Sequence, residues 1–203
     1  MDTWLPALPL LLSLLLGLAL RTQACDLLDY CRPPRICPNF THISTNQKYE
    51  ERLYEPSVWM CTTEEGIDSR AVAEASIRLI NFRNYHSWVK GVQINPHTWP
   101  SLVSVNIVEN RLELSLCWMV PPGVTVSGYR QVTVKTIPRT AMFVRSFSGI
   151  PTFENSGLNA LRLMEDLLSD GKRFDRTVFF RASYDSPFGI IFFKHNEIWI
   201  PKA

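Results

Sequence analysis

The 203-residue chain has no run of basic residues and no interleaving of basic with aromatic side chains, so it lacks the footprint by which proteins hold nucleic acid. Its 21 Lys and Arg against 19 Asp and Glu leave a formal charge of +2, too close to balance to steer a polyanion. It also lacks G-x-S-x-G, G-x-G-x-x-G, a P-loop, H-E-x-x-H and C-x-x-C. Those absences remove the nucleophile elbow, the dinucleotide turn, the phosphate cradle, the zincin helix and the dithiol redox pair. Neighbouring acids occur at Glu50-Glu51, Glu64-Glu65 and Glu165-Asp166. Adjacent positions on one helix or strand do not face each other, so these pairs read as solvated surface and not as acid/base machinery. No catalytic residue is assigned, and the chain reads as a binder.

One stretch is strongly apolar. Leu5 to Leu20 runs for about 16 residues, interrupted by Pro6, Pro9, Ser13 and Gly17, short of the roughly 20 that span a bilayer. Small residues at Thr22 and Ala24 follow it, which is the pattern of a secretory signal peptide over residues 1–24. Asp2 leaves the amino-terminal region with the terminal amine as its positive charge, so an uncleaved signal anchor is the alternative. Cleavage after Ala24 gives a secreted, extracellular chain beginning at Cys25, with no stable membrane insertion and a length suited to one domain.

All five cysteines, Cys25, Cys31, Cys37, Cys61 and Cys117, lie beyond that site, and an oxidising compartment makes disulfides their first reading. Residues 25–47 form a Cys/Pro-rich segment with C-x5-C-x5-C spacing and little periodicity, in which crosslinks would replace a core. We expect it to be stapled onto the domain through Cys61 or Cys117; the pairing stays open, and an odd count leaves one thiol over. Cys25, Cys31, Cys37 and His42 could be read as a zinc set, but zinc ligands are usually paired more closely, so no metal is assigned. Asn39-Phe40-Thr41 is a glycosylation sequon and predicts an exposed loop.

From Lys48 the pattern becomes that of a folded domain, residues 48–203. Lys48 to Glu55 and Val58 to Thr63 read as strands broken at Pro56. Asp68-Ser69 caps a helix to about Tyr85, with Val72, Ala75, Leu79 and Phe82 on one face. Trp88 to Ile94, Leu102 to Glu109 and Leu112 to Val120 read as strands, the last two joined at Asn110. Thr140 to Phe147 is a strand, and Glu154 to Ser169 a helix with Leu158, Leu161, Met164 and Leu168 as its apolar stripe, stopped at Asp170-Gly171. Thr177 to Tyr184, Phe188 to Phe193 and Glu197 to Ile200 close the chain as strands, with a turn at Asp185-Ser186-Pro187. The order is strand, helix, strands, twice over, which gives an α+β fold.

Five pieces of this domain carry a resemblance: YEERLYEPSVW (Tyr49 to Trp59), FVRSF (Phe143 to Phe147), GKRFD (Gly171 to Asp175), YDSP (Tyr184 to Pro187) and NEIW (Asn196 to Trp199). In order and approximate spacing they resemble the SOUL haem-binding protein family. That resemblance implies a distorted β-barrel of two βαββ-like halves flanked by two helices. It implies haem or a porphyrin as a possible ligand, with no catalytic cofactor, in an apolar pocket along the first helix and beside the last hairpin. On this chain the pocket maps to Val72, Leu79, Phe82 and Phe188 as walls and Arg78 and Arg83 as cations. Leu53 stands where some members have a histidine before the tyrosine of the first signature, and Ile94 to Pro100 replaces a Met-Thr-Ala-Pro-Val stretch, so iron coordination departs from the pattern. His86, one turn beyond Phe82, is the best replacement ligand; Cys37 reads first as an oxidised structural cysteine.

Two functions follow. The first is a secreted, non-enzymatic binder of haem, porphyrin or another flat amphipathic molecule, held mainly by apolar contacts. The second is an extracellular interaction protein that keeps the fold and has lost haem binding, motivated by the cysteine-rich segment and the sequon.

Overall fold

In a computed structural model of the protein, residues 29–109, 111–185 and 194–203 are described. The expected signal peptide, Cys25, the turn at Asn110, Ser186-Pro187 and the strand over Phe188–Phe193 lie outside them. Nine strands form one sheet: β1 (Phe40–Thr45), β2 (Glu50–Tyr54), β3 (Ser57–Glu65), β4 (Ser101–Val108), β5 (Arg111–Met119), β6 (Thr133–Ile137), β7 (Thr140–Ser148), β8 (Phe180–Ser183) and β9 (His195–Pro201). Two helices, α1 (Ser69–Val89) and α2 (Phe153–Ser169), interrupt them. Every ladder is antiparallel and the order across the sheet is β1-β2-β7-β9-β8-β4-β5-β3-β6, curled into the distorted barrel expected. β9 pairs with β7 on one side and β8 on the other, and these two in turn pair with β2 and β4 of the first half.

Period-two alternation along the strands sorts residues onto two faces. Trp59, Cys61, Leu102, Met119, Met142, Val144, Ala182 and Trp199 form an inward core with Phe40, Tyr54 and Tyr184. Their strand neighbours point outward. Met60, Val103, Leu114 and Leu116 pack under α1, while Phe143, Ile198 and Ile200 pack under α2. Both helices therefore lie outside the barrel, α1 on β3 and β5 and α2 on β7 and β9.

The helix starts follow from caps. Asp68 accepts a hydrogen bond from Ala71 N at 2.8 Å, and Thr152 Oγ1 accepts from Asn155 N at 3.1 Å. α1 buries Ala71, Ala75, Leu79, Phe82 and His86, the face its spacing predicts, with Val72 half-buried beside it. It runs past Tyr85 to Val89 and stops where Gly91 takes φ +67°. The strand expected over Trp88–Ile94 is therefore absent; the β-forming side chains of Trp88 and Val89 are carried by the helix. Gly171, at φ +64°, ends α2 as expected.

The stripe read for α2 is corrected. The helix buries Ser156, Asn159, Ala160, Leu163 and Leu167, and leaves Leu158, Leu161 and Leu168 exposed. Ser156, Asn159 and Ala160 face the sheet along with Leu163 and Leu167, and Asn159 sits beside Arg145 of β7, which also pairs with Asp166 at 3.1 Å. That polar docking fixes the rotation against the most leucine-rich line. β1 and β6, two edge strands, have no counterpart in the sequence reading. Their burial patterns are mostly exposed, so hydrophobic alternation gives them little signal.

Candidate functional site

Inside the barrel one carboxylate gathers donors from four parts of the chain. Glu197 of β9 is 0% exposed. Its Oε1 accepts from the Tyr30 hydroxyl and from Arg52 Nη1 at 3.0 Å, and lies 3.1 Å from His195 Nε2. Its Oε2 accepts from the Tyr184 hydroxyl at 2.9 Å and from Trp199 Nε1 at 2.7 Å. Arg52 reaches this place because β2 turns it inward, where it also donates to the Tyr54 hydroxyl at 3.1 Å and, through Nε, to Glu50 at 2.8 Å.

Burial would raise the Glu197 carboxyl, but Arg52, His195 and Tyr30 reverse this and hold it down at about 2. Burial and then Glu197 push the hydroxyls of Tyr30, Tyr54 and Tyr184 well up, so they stay protonated donors. A general base needs a pKa near the working pH and a lone pair open to substrate. Glu197 has five partners and is ionised throughout the physiological range, so the arrangement anchors the interior.

The same network docks the amino-terminal segment. Tyr30 follows Asp29 in a short 3₁₀ turn (Asp29–Cys31) and stacks on His195 with centroids 3.7 Å apart. Arg35 donates to the carbonyls of Tyr184 at 2.8 Å and Tyr30 at 3.1 Å and pairs with Asp185. The expected staple through Cys61 or Cys117 is not formed. Cys31 pairs with Cys37, closing a local loop, and Cys61 pairs with Cys117, its direct neighbour across β3 and β5. Polar and aromatic contacts hold the segment, and the disulfide shapes it. Asn39 is exposed, on β1's leading edge, and lines a shallow cleft of about 160 Å³ with Pro38, Pro56 and Pro121. Drug-sized ligands usually take roughly 300 Å³ or more.

The residues read as a pocket are distributed differently. Leu79 and Phe82 are buried in the core beneath α1. His86 is buried there too, its Nδ1 3.1 Å from the Phe82 carbonyl and its ring 4.2 Å from that of Phe82. Arg78 turns to β3, donating to the Thr63 carbonyl and pairing with Glu64. Val72 and Arg83 are half-buried on α1's flank, and Phe188 lies outside the described residues. The structure thus brings Leu79, Phe82 and His86 together and separates Arg78 from Arg83. Further round α1, Ile77, Ile80 and Trp88 are exposed, Trp88 to 81%. Between the helices the outward faces of β4 and β8 form a seam: Val103, Arg181 and Ile198 are cross-strand neighbours, followed by Ser101, Ser183 and Asn196.

Glu197, Arg52, Tyr184 and Tyr30 were not among the residues singled out from sequence, although three of them sit in the motifs that carry the resemblance. YEERLYEPSVW supplies Arg52 and Tyr54, YDSP supplies Tyr184, and NEIW supplies Glu197 and Trp199. No described helix is long and apolar enough to cross a membrane, and no group of His, Cys, Asp and Glu among the described residues is placed to hold a metal ion.

Comparison with known proteins gives a concordant picture. The model of the SOUL heme-binding protein family matches residues 35–201. Human heme-binding protein 2 is 26% identical over 168 residues, covering 75% of this chain and 77% of the relative. The mouse heme-binding protein 2 is 27% identical over 160 residues with the same coverage. Among solved structures, the C-terminal domain of EcmrR aligns with a TM-score of 0.58 at 12% identity, over 76% of this chain and 98% of that one. A hydrolase from Listeria innocua aligns with a TM-score of 0.56 at 10% identity, over 79% and 94%. At those identities the likeness shows the fold alone.

Proposed function

Because this chain belongs to the SOUL heme-binding protein family, we propose that it is a secreted, non-enzymatic binder of haem, porphyrin or another flat amphipathic molecule, held mainly by apolar contacts. The observation that carries the reading is the family match over residues 35–201, together with the human relative's name, heme-binding protein 2. The geometry favours a ligand on the outward side of the sheet. The interior is filled by Trp59, Tyr54, Trp199 and the Glu197 network, so a guest beside α1 would meet that helix's half-buried flank, which carries Val72 and Arg83. A planar guest there would lie beside α1, close to where the chain enters the last hairpin. Leu79 and Phe82 would support that wall from within, and His86, buried beneath it, would reach a guest only if α1 moved. Two disulfides and an exposed sequon at Asn39 support a life outside the cell and a glycan just before β1.

Titrating haem into the mature protein tests this. A saturable Soret shift at micromolar protein is expected, weakened by Val72→Asp and unchanged by His86→Ala if apolar burial dominates. No shift at any ratio refutes the reading. A second reading, an extracellular interaction protein, is favoured by the exposed Leu158, Leu161 and Leu168 on α2. It predicts no porphyrin co-purifying from the native source and a crosslinked partner on α2 or residues 25–47.

A further inference from the structure

Buried polar atoms in folded proteins nearly always find a partner, so those that do not call for an explanation. Among the described residues three such side-chain atoms occur, and two of them, Arg181 Nε and Ser183 Oγ, lie two residues apart on one strand. Phe180, Ala182 and Tyr184 face the inward core, so alternation turns Arg181 and Ser183 outward. Arg181 sits between Val103, which packs under α1, and Ile198, which packs under α2. Its Nη1 is used, donating to the Pro151 carbonyl at 2.7 Å, while the Nε edge is not.

Burial by itself lowers the Arg181 guanidinium to about 10, and no carboxylate among the described residues offsets that. Four other half-buried or buried guanidinium groups are paired: Arg35 with Asp185, Arg52 with Glu197, Arg78 with Glu64 and Arg145 with Asp166. A cation taken out of water without an anion costs stability. An unpartnered Nε edge with a hydroxyl two residues along the same strand face is a donor pair suited to taking a carboxylate side-on.

We propose that Arg181 and Ser183 form an anion-binding subsite in the seam between the two helices, which takes a carboxylate of the ligand. The assignment rests on the porphyrin-type reading above and deepens it: the guest is an aromatic acid, seated with its apolar body against α1 and an acid group on β8. Arg181 receives the carboxylate through its Nε edge and Ser183 donates to the same group. No bond is made or broken.

The test compares deuteroporphyrin IX with its dimethyl ester, by absorbance, on the mature protein and on Arg181→Met, Arg181→Lys and Ser183→Ala. The wild type is expected to bind the free acid about tenfold tighter than the ester, the worth of one hydrogen bond to a charged group. Arg181→Met should bind both alike, Arg181→Lys should recover part of the preference, and Ser183→Ala should lose a fraction of it. Equal binding of acid and ester by the wild type overturns the subsite and leaves the porphyrin reading standing. Binding of neither overturns that reading, and a second measurement then decides the subsite. Sodium propionate should raise the wild-type melting temperature above that in sodium chloride of equal ionic strength, and should not do so for Arg181→Met. No such difference overturns the subsite. Should Arg181→Met not fold, Ser183→Ala and Arg181→Lys carry the same comparisons.

Discussion

On the inward face of the sheet a wholly buried carboxylate is met by five donors from four stretches of chain, whereas on the outward face α1 presses Ala75, Leu79 and Phe82 onto Met60, Leu114 and Leu116. The first arrangement tolerates one geometry, since each donor must reach one of two oxygens. The second tolerates many, since apolar area is non-directional. Register and segment docking are set on the inside; the outside supplies bulk stabilisation.

The sharpest way to break this contrast is Arg52→Met. It leaves Glu197 charged and without its counter-ion, and a loss of about 3–5 kcal/mol is expected in urea unfolding. Leu79→Ala tests the other face: about 3 kcal/mol from lost transfer and the cavity left behind, with the Tyr30–Glu197 contact intact by near-ultraviolet circular dichroism. Acid separates the faces without mutation. Glu197 is held at about 2 in the folded state against a usual 4.5, so its contribution is full above about 4.5 and fades as the pH falls towards 2. That loss is on the order of 3 kcal/mol, and in Leu79→Ala it should be undiminished. Tyr30→Phe removes one of five donors and should cost about 1.5 kcal/mol, with faster proteolysis of residues 29–37 as the accompanying sign. Leu161→Ala, on the exposed line of α2, should stay within about 0.5 kcal/mol of the parent. A larger effect there would mean that α2 is seated differently.

The outward face was the more legible in sequence. Helical spacing gave the buried side of α1 because Ala75, Leu79 and Phe82 are apolar on a polar background, and Asp68 and Gly171 marked helix ends by well-defined backbone chemistry. α2 was misread because leucines occur all around it and a polar contact, Asn159 with Arg145, decides the rotation. Periodicity cannot see such a contact. The interior network was invisible to pattern reading for a related reason: Arg52 and Glu197 are 145 residues apart, and a lone Arg or Glu in a strand reads as an outward polar position. Their signal was present in the motifs, as three separate signatures, but only the fold shows that these converge on one oxygen pair. Arg181 reads as surface for the same reason, and its want of an acid is visible only in three dimensions.

The place of β9 in the sheet has a consequence for biosynthesis. It is the latest strand in chain order yet occupies an interior position, wedged between β7 and β8, and it delivers the carboxylate to which Tyr30 and Arg52 are tied. Chains emerge from the ribosome amino end first, at roughly 5–20 residues per second. The earlier strands must therefore wait with two open edges until residues 195–201 have left the tunnel. During that interval Cys61 and Cys117 can already meet across β3 and β5, so oxidation can precede closure and hold the half-built sheet in register for the last strand to enter.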